Sequence, residues 1–329
     1  MSDTMQEQTE RAFGRDLVID RKTLKPYTKR TDRTALLHFL GHMGLIGATG
    51  TLTWMALGTL WVVPALLAHA VVLAFLFAPM HECSHGTPFR SRWLNETVYW
   101  IVCLIYIMPP TIFRYEHATH HTYTQIRGQD PDMMPERMTV WDYAVYLSGY
   151  VFWKRGLIWL FYHPFGYIRP EHRRFLPDSE VPRVIFEGRV ILAIYGGIAA
   201  VAIGTGSLLP LWLWIVPRLV GEPLMRFFRI AEHAECEEGG DLRTNTRTTR
   251  TTRLVHFLHW NMSYHAEHHI CPMVPYHALA KLHDEVGDKL HPIGESYPAV
   301  HSEVLSKISR HEGVTWNGAR GQSGPVAAE

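Results

Sequence analysis

The stretch "TALLHFLGHMGLIGATGTLTWMALGTLWVVPALLAHAVVLAFLFAPMH" (residues 34–81) contains no Asp, Glu, Lys or Arg, and it is bounded by Arg33 and Glu82. One helix crossing a bilayer needs about 20 apolar residues, so the interval accommodates two helices joined by a tight turn. Gly58, Thr59 and Pro64 lie near its middle, which places the spans at about 35–56 and 60–80. A second uncharged interval, Val190 to Pro217, stays apolar past Arg218 as far as Phe228. With a break at Gly204 to Ser207 it predicts spans at about 187–205 and 208–228, the latter carrying Arg218, Glu222 and Arg226 toward its polar end. The fold expected is an all-α integral membrane protein with four transmembrane helices in two hairpins.

Two further segments are apolar without being spans. Thr97 to Phe113 ends in Pro109-Pro110. About 17 residues barely reach across a bilayer, and an odd number of spans would separate the two halves, so this run reads as re-entrant or interfacial. The stretch from Val140 to Tyr167 carries Trp141, Tyr143, Tyr146, Phe152, Trp153, Trp159 and Phe161, as a helix lying at headgroup level would. Residues 1–33 then form an N-terminal segment, 34–290 the membrane domain and 291–329 a tail. The tail's last part, "NGARGQSGPVAAE", is expected to be disordered.

Charge sets the orientation. Arg11, Arg15, Arg21, Lys22, Lys25, Lys29, Arg30 and Arg33 precede the first hairpin, whereas the tips of both hairpins have no basic residue. The positive-inside rule places both termini and the long polar segments in the cytoplasm. A formal net charge of +1 gives no reason to expect nucleic-acid binding. The run "RTNTRTTRTTR" (243–253) reads as a headgroup-facing or partner-facing loop. Cys83, Cys103, Cys236 and Cys271 form no C-x-x-C pair, so free thiols are expected.

The chain has 21 histidines, and many are clustered. His81 and His85 lie four residues apart where the second span emerges. "HATHH" supplies His117, His120 and His121, and "YHAEHH" repeats that spacing with His265, His268 and His269. On a helix such offsets place the rings on one face, the rigid support that a metal ion needs. Isolated histidines such as His38, His42 and His69 read instead as structural residues of the spans. His81-Glu82-x-x-His85 taken alone matches the zinc-protease pattern H-E-x-x-H, in which the Glu activates a metal-bound water. A catalytic zinc takes about three protein ligands, however, and eight clustered histidines suit two transition-metal ions. Imidazole suits Fe, Zn, Cu and Ni alike. A metal transporter or sensor is a third reading, although the first hairpin offers few polar residues to line a path.

"HECSHGT", "HATHHTYTQIRGQDPD" and "NMSYHAEHHICPMVPYHALAKLH" resemble, in order and spacing over roughly residues 35–290, the three histidine boxes of the membrane fatty acid desaturase family and its hydroxylase and ketolase relatives. The resemblance implies a non-haem di-iron centre on the cytoplasmic side, O2 as co-substrate and an apolar acyl-type substrate that is desaturated or hydroxylated. It implies His81, His85, His117, His120, His121, His265, His268 and His269 as ligands, with His233 in "RIAEHAEC" as the further histidine. Some relatives carry Asn four residues before that histidine, where this chain has Arg229. No H-P-G-G haem motif is present, so neither haem nor flavin is expected, and a separate electron donor of ferredoxin, rubredoxin or cytochrome b5 type is implied. Glu82, Glu116, Asp130, Asp132, Glu235, Asn261 and Glu267 are candidates to orient imidazoles. Arg247, Arg250 and Arg253 are candidates to dock the donor or a headgroup.

Overall fold

The computed structural model describes residues 18–133 and 138–309. The basic residues Arg11 and Arg15 and the terminal "NGARGQSGPVAAE" lie outside the described residues. The first apolar interval forms α1 (Asp32–Ala56), α2 (Val62–Ala74) and α3 (Phe77–Ser84). A left-handed Gly58 (φ 82°) turns the chain back between α1 and α2. His42 and His69 are buried, and they bond the carbonyls of Val72 (3.0 Å) and Leu213 (2.9 Å). His38 contacts the Phe257 carbonyl (2.8 Å) and stacks on that ring. All three join helices, as expected of structural histidines.

The shorter apolar run forms α4 (Arg92–Tyr106) and α5 (Pro110–Tyr123), which meet at a bend of 101°. Ile107 is left-handed there (φ 64°) and Pro109-Pro110 starts the new helix, so α5 turns away instead of continuing across. The first turn of α5 is held by buried Glu187, which accepts from Thr111 N (3.0 Å) and Thr111 Oγ1 (2.7 Å). A carboxylate at a helix N-terminus satisfies donors that the helix leaves unpaired. The aromatic stretch divides into α6 (Val140–Leu147) and α7 (Tyr150–Tyr162) at left-handed Gly149 (φ 72°). Trp141, Tyr150, Leu157 and Phe161 are exposed along these helices, as an interfacial element requires.

The second apolar interval forms α8 (Val181–Thr205) and, after one wide turn over Leu211–Ile215, α9 (Val216–His233). Among the described residues three segments are long and apolar enough to cross a membrane: Asp32–Ala56, Val62–Ser84 and Asp178–Thr205. The bent pair α4–α5 makes a fourth if it is counted as one broken span. The expected span at 208–228 is helical but is not among the three, because α9 carries Arg218, Glu222 and Arg226 through its middle. Nor do α8 and α9 form a packed hairpin. α9 lies along α2, whereas α8 packs on α5, on α7 and on the turn at His163–Phe165. Gly221 permits the approach of α9 to α2, since a Cβ there would stand 2.4 Å from the Ala70 carbonyl oxygen.

The polar end of the bundle is closed by α10 (Arg253–Leu258), α11 (His265–Ile270), α12 (Tyr276–Val286) and α13 (Tyr297–Ser309). A parallel two-residue pairing joins β1 (Thr248–Thr249) to β2 (Ile293–Gly294). Within the segment assigned above to the tail, α13 buries Val300, His301 and Val304 against α9 and α6. His301 stacks on Phe227 at 3.7 Å and bonds the Phe227 carbonyl.

Replacing Gly221 by Val should overpack the α2–α9 contact and cost about 1–3 kcal/mol, seen as a lower thermal unfolding midpoint in detergent. Gly196→Ala on α8, where a Cβ meets nothing within 4 Å, should leave the midpoint in place.

Candidate metal centre

All nine predicted histidines converge. His81, His85, His117, His121 and His268 form one group and His120, His233, His265 and His269 another, with the ligand atoms of each group within 4.8 Å of one another. The i, i+3, i+4 spacing explains the partition. On α5, His117 and His121 face one group while His120 faces the other. On α11, His268 turns to the first group while His265 and His269 turn to the second. α3 supplies His81 and is capped by His85, and the last residue of α9 is His233.

In three of the nine rings hydrogen bonds fix which ring nitrogen carries the proton. Buried Asp130 folds back from the turn after α5, held by the backbone N–H groups of Gln125 (2.9 Å) and Asp132 (2.9 Å), and accepts from His120 Nδ1 (2.8 Å). Thr124 Oγ1 donates to the His120 carbonyl (2.7 Å), which leaves it to accept from His269 Nδ1 (3.0 Å). The Asn245 carbonyl accepts from His233 Nδ1 (3.3 Å). With the proton on Nδ1, each of these rings presents the lone pair of Nε2 inward.

The inward nitrogens are crowded. Nε2 of His117 lies 2.9 Å from that of His85 and 3.0 Å from that of His121, and Nε2 of His268 lies 3.2 Å from that of His121. In the second group His265 Nε2 lies 3.3 Å from His233 and 3.1 Å from His269. Lone pairs gathered at such spacing repel, and a cation among them removes the conflict. Burial, and after it the neighbouring imidazoles, hold His265, His268 and His269 well below the ordinary histidine pKa. These rings are therefore neutral, the form that binds metal. The donor set and its tautomers thus fit two transition-metal ions.

The carboxylates divide. Asp130 reaches an imidazole directly, and Glu82 Oε1 lies 3.6 Å from His268 Nδ1. The other Glu82 oxygen accepts from Tyr276 N (3.0 Å) and Thr87 Oγ1 (3.2 Å), tying α3 to α12. Glu82 is thus engaged by the fold, unlike the water-activating Glu of H-E-x-x-H. Asp132 pairs with Arg229 (3.1 Å) and Glu116 stands 3.8 Å from Arg155. Glu267 bonds His283 and Thr248, Glu235 bonds Lys307 (2.6 Å), and Asn261 donates to the Tyr276 carbonyl (3.1 Å). None of these five is placed on a boxed imidazole, because each is taken by a nearer partner. Sequence reasoning missed Thr124, Asn245 and Glu232. Buried Glu232 has an oxygen 3.6 Å from His265 Nε2, and its place beside His233 was the one available signal. Arg247 is buried and donates to the Ala231 carbonyl (2.9 Å), so it offers nothing to a docking partner. Arg250 pairs with Glu295. Cys83, Cys103, Cys236 and Cys271 are buried and form no disulfide among the described residues.

Two cavities lie near the centre. One, of about 310 Å³, has Phe77, Phe113, Phe152, Trp159 and Arg229 among its walls. Two of its walls separate it from the histidines: Phe113 stacks on His117 (5.4 Å) and Phe77 lies 5.8 Å from His81. The other, of about 700 Å³, fills the gap between α7, α8 and the start of α9 with apolar side chains and touches none of the nine histidines.

A family profile described as fatty acid desaturase matches residues 60–301. The chain is 23% identical over 273 residues to fatty acid conjugase FAC2 B of Calendula officinalis, covering 74% of this chain and 72% of the relative. It is 24% identical over 264 residues to the sn-1 oleoyl-lipid 12-desaturase of Arthrospira platensis (73% and 70%) and 26% identical over 274 residues to the sphingolipid delta(4)-desaturase DES1 of Xenopus tropicalis (78% and 76%). The chain belongs to the fatty acid desaturase family. It is an oxidoreductase, and its apolar helices are consistent with an integral membrane protein.

Replacing Asp130 by Ala should free His120 to rotate and weaken metal binding by about 10- to 100-fold, measured by metal titration of the purified protein. Asp132→Ala, which removes the partner of Arg229, should have a much smaller effect; equal losses would refute the orienting role of Asp130.

Proposed function

We propose that this protein uses a pair of iron ions held by the nine histidines to carry out O2-dependent oxidation of an unactivated C–H bond in a lipid or lipid-like substrate, desaturation being the outcome its relatives favour. The observation that carries this reading is the convergence of nine imidazoles, five in one group and four in the other, with the ligand atoms of each group within 4.8 Å of one another. His81, His85, His117, His121 and His268 would hold one ion, and His120, His233, His265 and His269 the other. Bound iron supplies the oxidising chemistry, and the protein supplies position and a dry enclosure.

Asp130, Thr124 and the Asn245 carbonyl keep the protons of His120, His269 and His233 on Nδ1, so those rings remain ligands. Phe77 and Phe113 form an apolar approach from the smaller cavity to His81 and His117, where a substrate methylene would rest. In this reading both termini and the centre lie on the cytoplasmic side, where a separate ferredoxin-, rubredoxin- or cytochrome b5-type protein delivers electrons.

Protein purified without oxygen should contain iron in excess of zinc, and on receiving electrons and O2 it should form an oxidised lipid detectable by mass spectrometry. His120→Ala should abolish the product and lower the iron content. Zinc as the resident metal, or turnover without O2 and reductant, would instead support hydrolysis and dismiss this reading.

A further inference from the structure

Before α1 begins, the chain crosses the polar end of the bundle as a strap. Val18, Ile19 and Leu24 of this strap are buried in the core, and its turn at Lys25–Thr28 lies along α12. Tyr27 OH donates to Glu285 (3.0 Å), and Lys289 Nζ donates to the Val18 carbonyl (2.8 Å). Between the strap and α12 a groove of about 500 Å³ stays open, with Tyr27, Lys29, Thr31, His277 and Lys281 among its walls. That volume holds a phosphate and the glycerol attached to it.

No acid lines this groove. Among the described residues Lys29 and Lys281 make no ion pair, and Nε2 of His277 is buried without a hydrogen-bond partner. The nearest acids are engaged elsewhere. Asp20 caps the first turn of the strap, Asp32 accepts from Ser91 N (2.8 Å) and Ser91 Oγ (2.7 Å), and Glu285 accepts from Tyr27. Asp284 is exposed on α12, outside the groove walls. From Arg21 to Arg33 the chain sets Arg21, Lys22, Lys25, Lys29, Arg30 and Arg33 against the single acid Asp32.

The groove also lies at a definite depth. Thr31 caps α1, the first segment able to cross a membrane, and Leu37 and Leu40 are exposed within the first turns of that helix. Tyr276 opens α12 with its ring 5.0 Å from that of His38, so α12 starts level with the second turn of α1. His277 and Lys281 thus stand where headgroups meet water. A basic side chain at this level strengthens attachment to anionic lipid by about fivefold. A choline headgroup would instead set its own ammonium among these cations, with no acid in the groove to receive it.

We infer that the groove between the strap and α12 binds the phosphate of an anionic phospholipid, held by Lys29 from one side and Lys281 from the other, with His277 Nε2–H as a further donor. This lipid is a bound companion and not a substrate, since none of the nine histidines lines the groove. It clamps the strap onto α12, the helix whose Tyr276 N–H holds Glu82 next to His81 (3.0 Å). The inference stands apart from the identity of the metal and from the reaction.

The test is native mass spectrometry of the full chain in detergent micelles carrying equal amounts of phosphatidylglycerol and phosphatidylcholine, with the unfolding midpoint read on the same samples. Phosphatidylglycerol should be retained roughly tenfold over phosphatidylcholine and should raise the midpoint. Lys29 and Lys281 are exposed, so Lys29→Gln combined with Lys281→Gln should fold as the parent does while losing both effects. Lys29→Arg with Lys281→Arg should keep them. Lys22→Gln with Lys154→Gln removes as many charges outside the groove and should also keep them. Equal retention of the two lipids, an unchanged preference in the groove variant, an equal loss in the outside variant, or displacement of the lipid by inorganic phosphate at matched concentration would each overturn the inference. If the two lipids are retained alike while polyglutamate binds the parent and not the groove variant, the groove receives an acidic protein and the lipid is dismissed.

Discussion

Nine imidazoles can share one interior only when their protons are kept out of it. Each ring has two nitrogens, and a proton on the inward one would place a donor where an ion must bind. For three of the rings the protein meets this constraint with acceptors placed behind them: the Asp130 carboxylate for His120, the Thr124 hydroxyl for His269 and the Asn245 carbonyl for His233. Much of the surrounding chain serves to place these acceptors. The turn that brings Asp130 back onto α5 is one example, with left-handed Gln125 (φ 60°) and Gly128 (φ 79°) reversing the backbone. The Glu82 carboxylate, which anchors α12 against α3, is another.

The two ion positions follow from helix geometry. A ring three residues along a helix and a ring four residues along it diverge by about 100°, so His120 and His121 address different groups from adjacent positions. α5 and α11 each contribute to both groups and thus set the separation between them. α3 serves the first group alone, while α9 closes the second with His233.

α9 joins the two parts of the molecule. Its beginning lies beside the apolar cavity, its middle holds Arg218, Glu222 and Arg226 inside the bundle, and its end reaches the histidines. A membrane helix carrying charge is stable only where those charges meet partners. Gly221 lets α9 press against α2 closely enough to enclose them, and Tyr106 from α4 covers the far side. The same packing opens the gap between α8 and α9, because a helix drawn toward α2 leaves α8 without its neighbour.

Patterning along the chain determined the all-helical class, the apolar segments and the eight histidines of the three boxes, because hydrophobic length and the i, i+3, i+4 repeat are local properties of a helix, whereas His233 followed from the family resemblance alone. It also marked His38, His42 and His69 as structural, and Asp130 and Asp132 together as candidate partners of the second box. Only the tertiary structure decided the five-and-four division of the ligands, the choice of Asp130 over Asp132 and the preference of α9 for α2 over α8. Asp130 and Asp132 are the same residue type two positions apart, and what separates them is a turn that aims one at His120 and an arginine from α9 that captures the other. Thr124 and Asn245 carry no pattern of their own. Their role arises from which ring each happens to face, a relation between distant segments that spacing along the chain does not record.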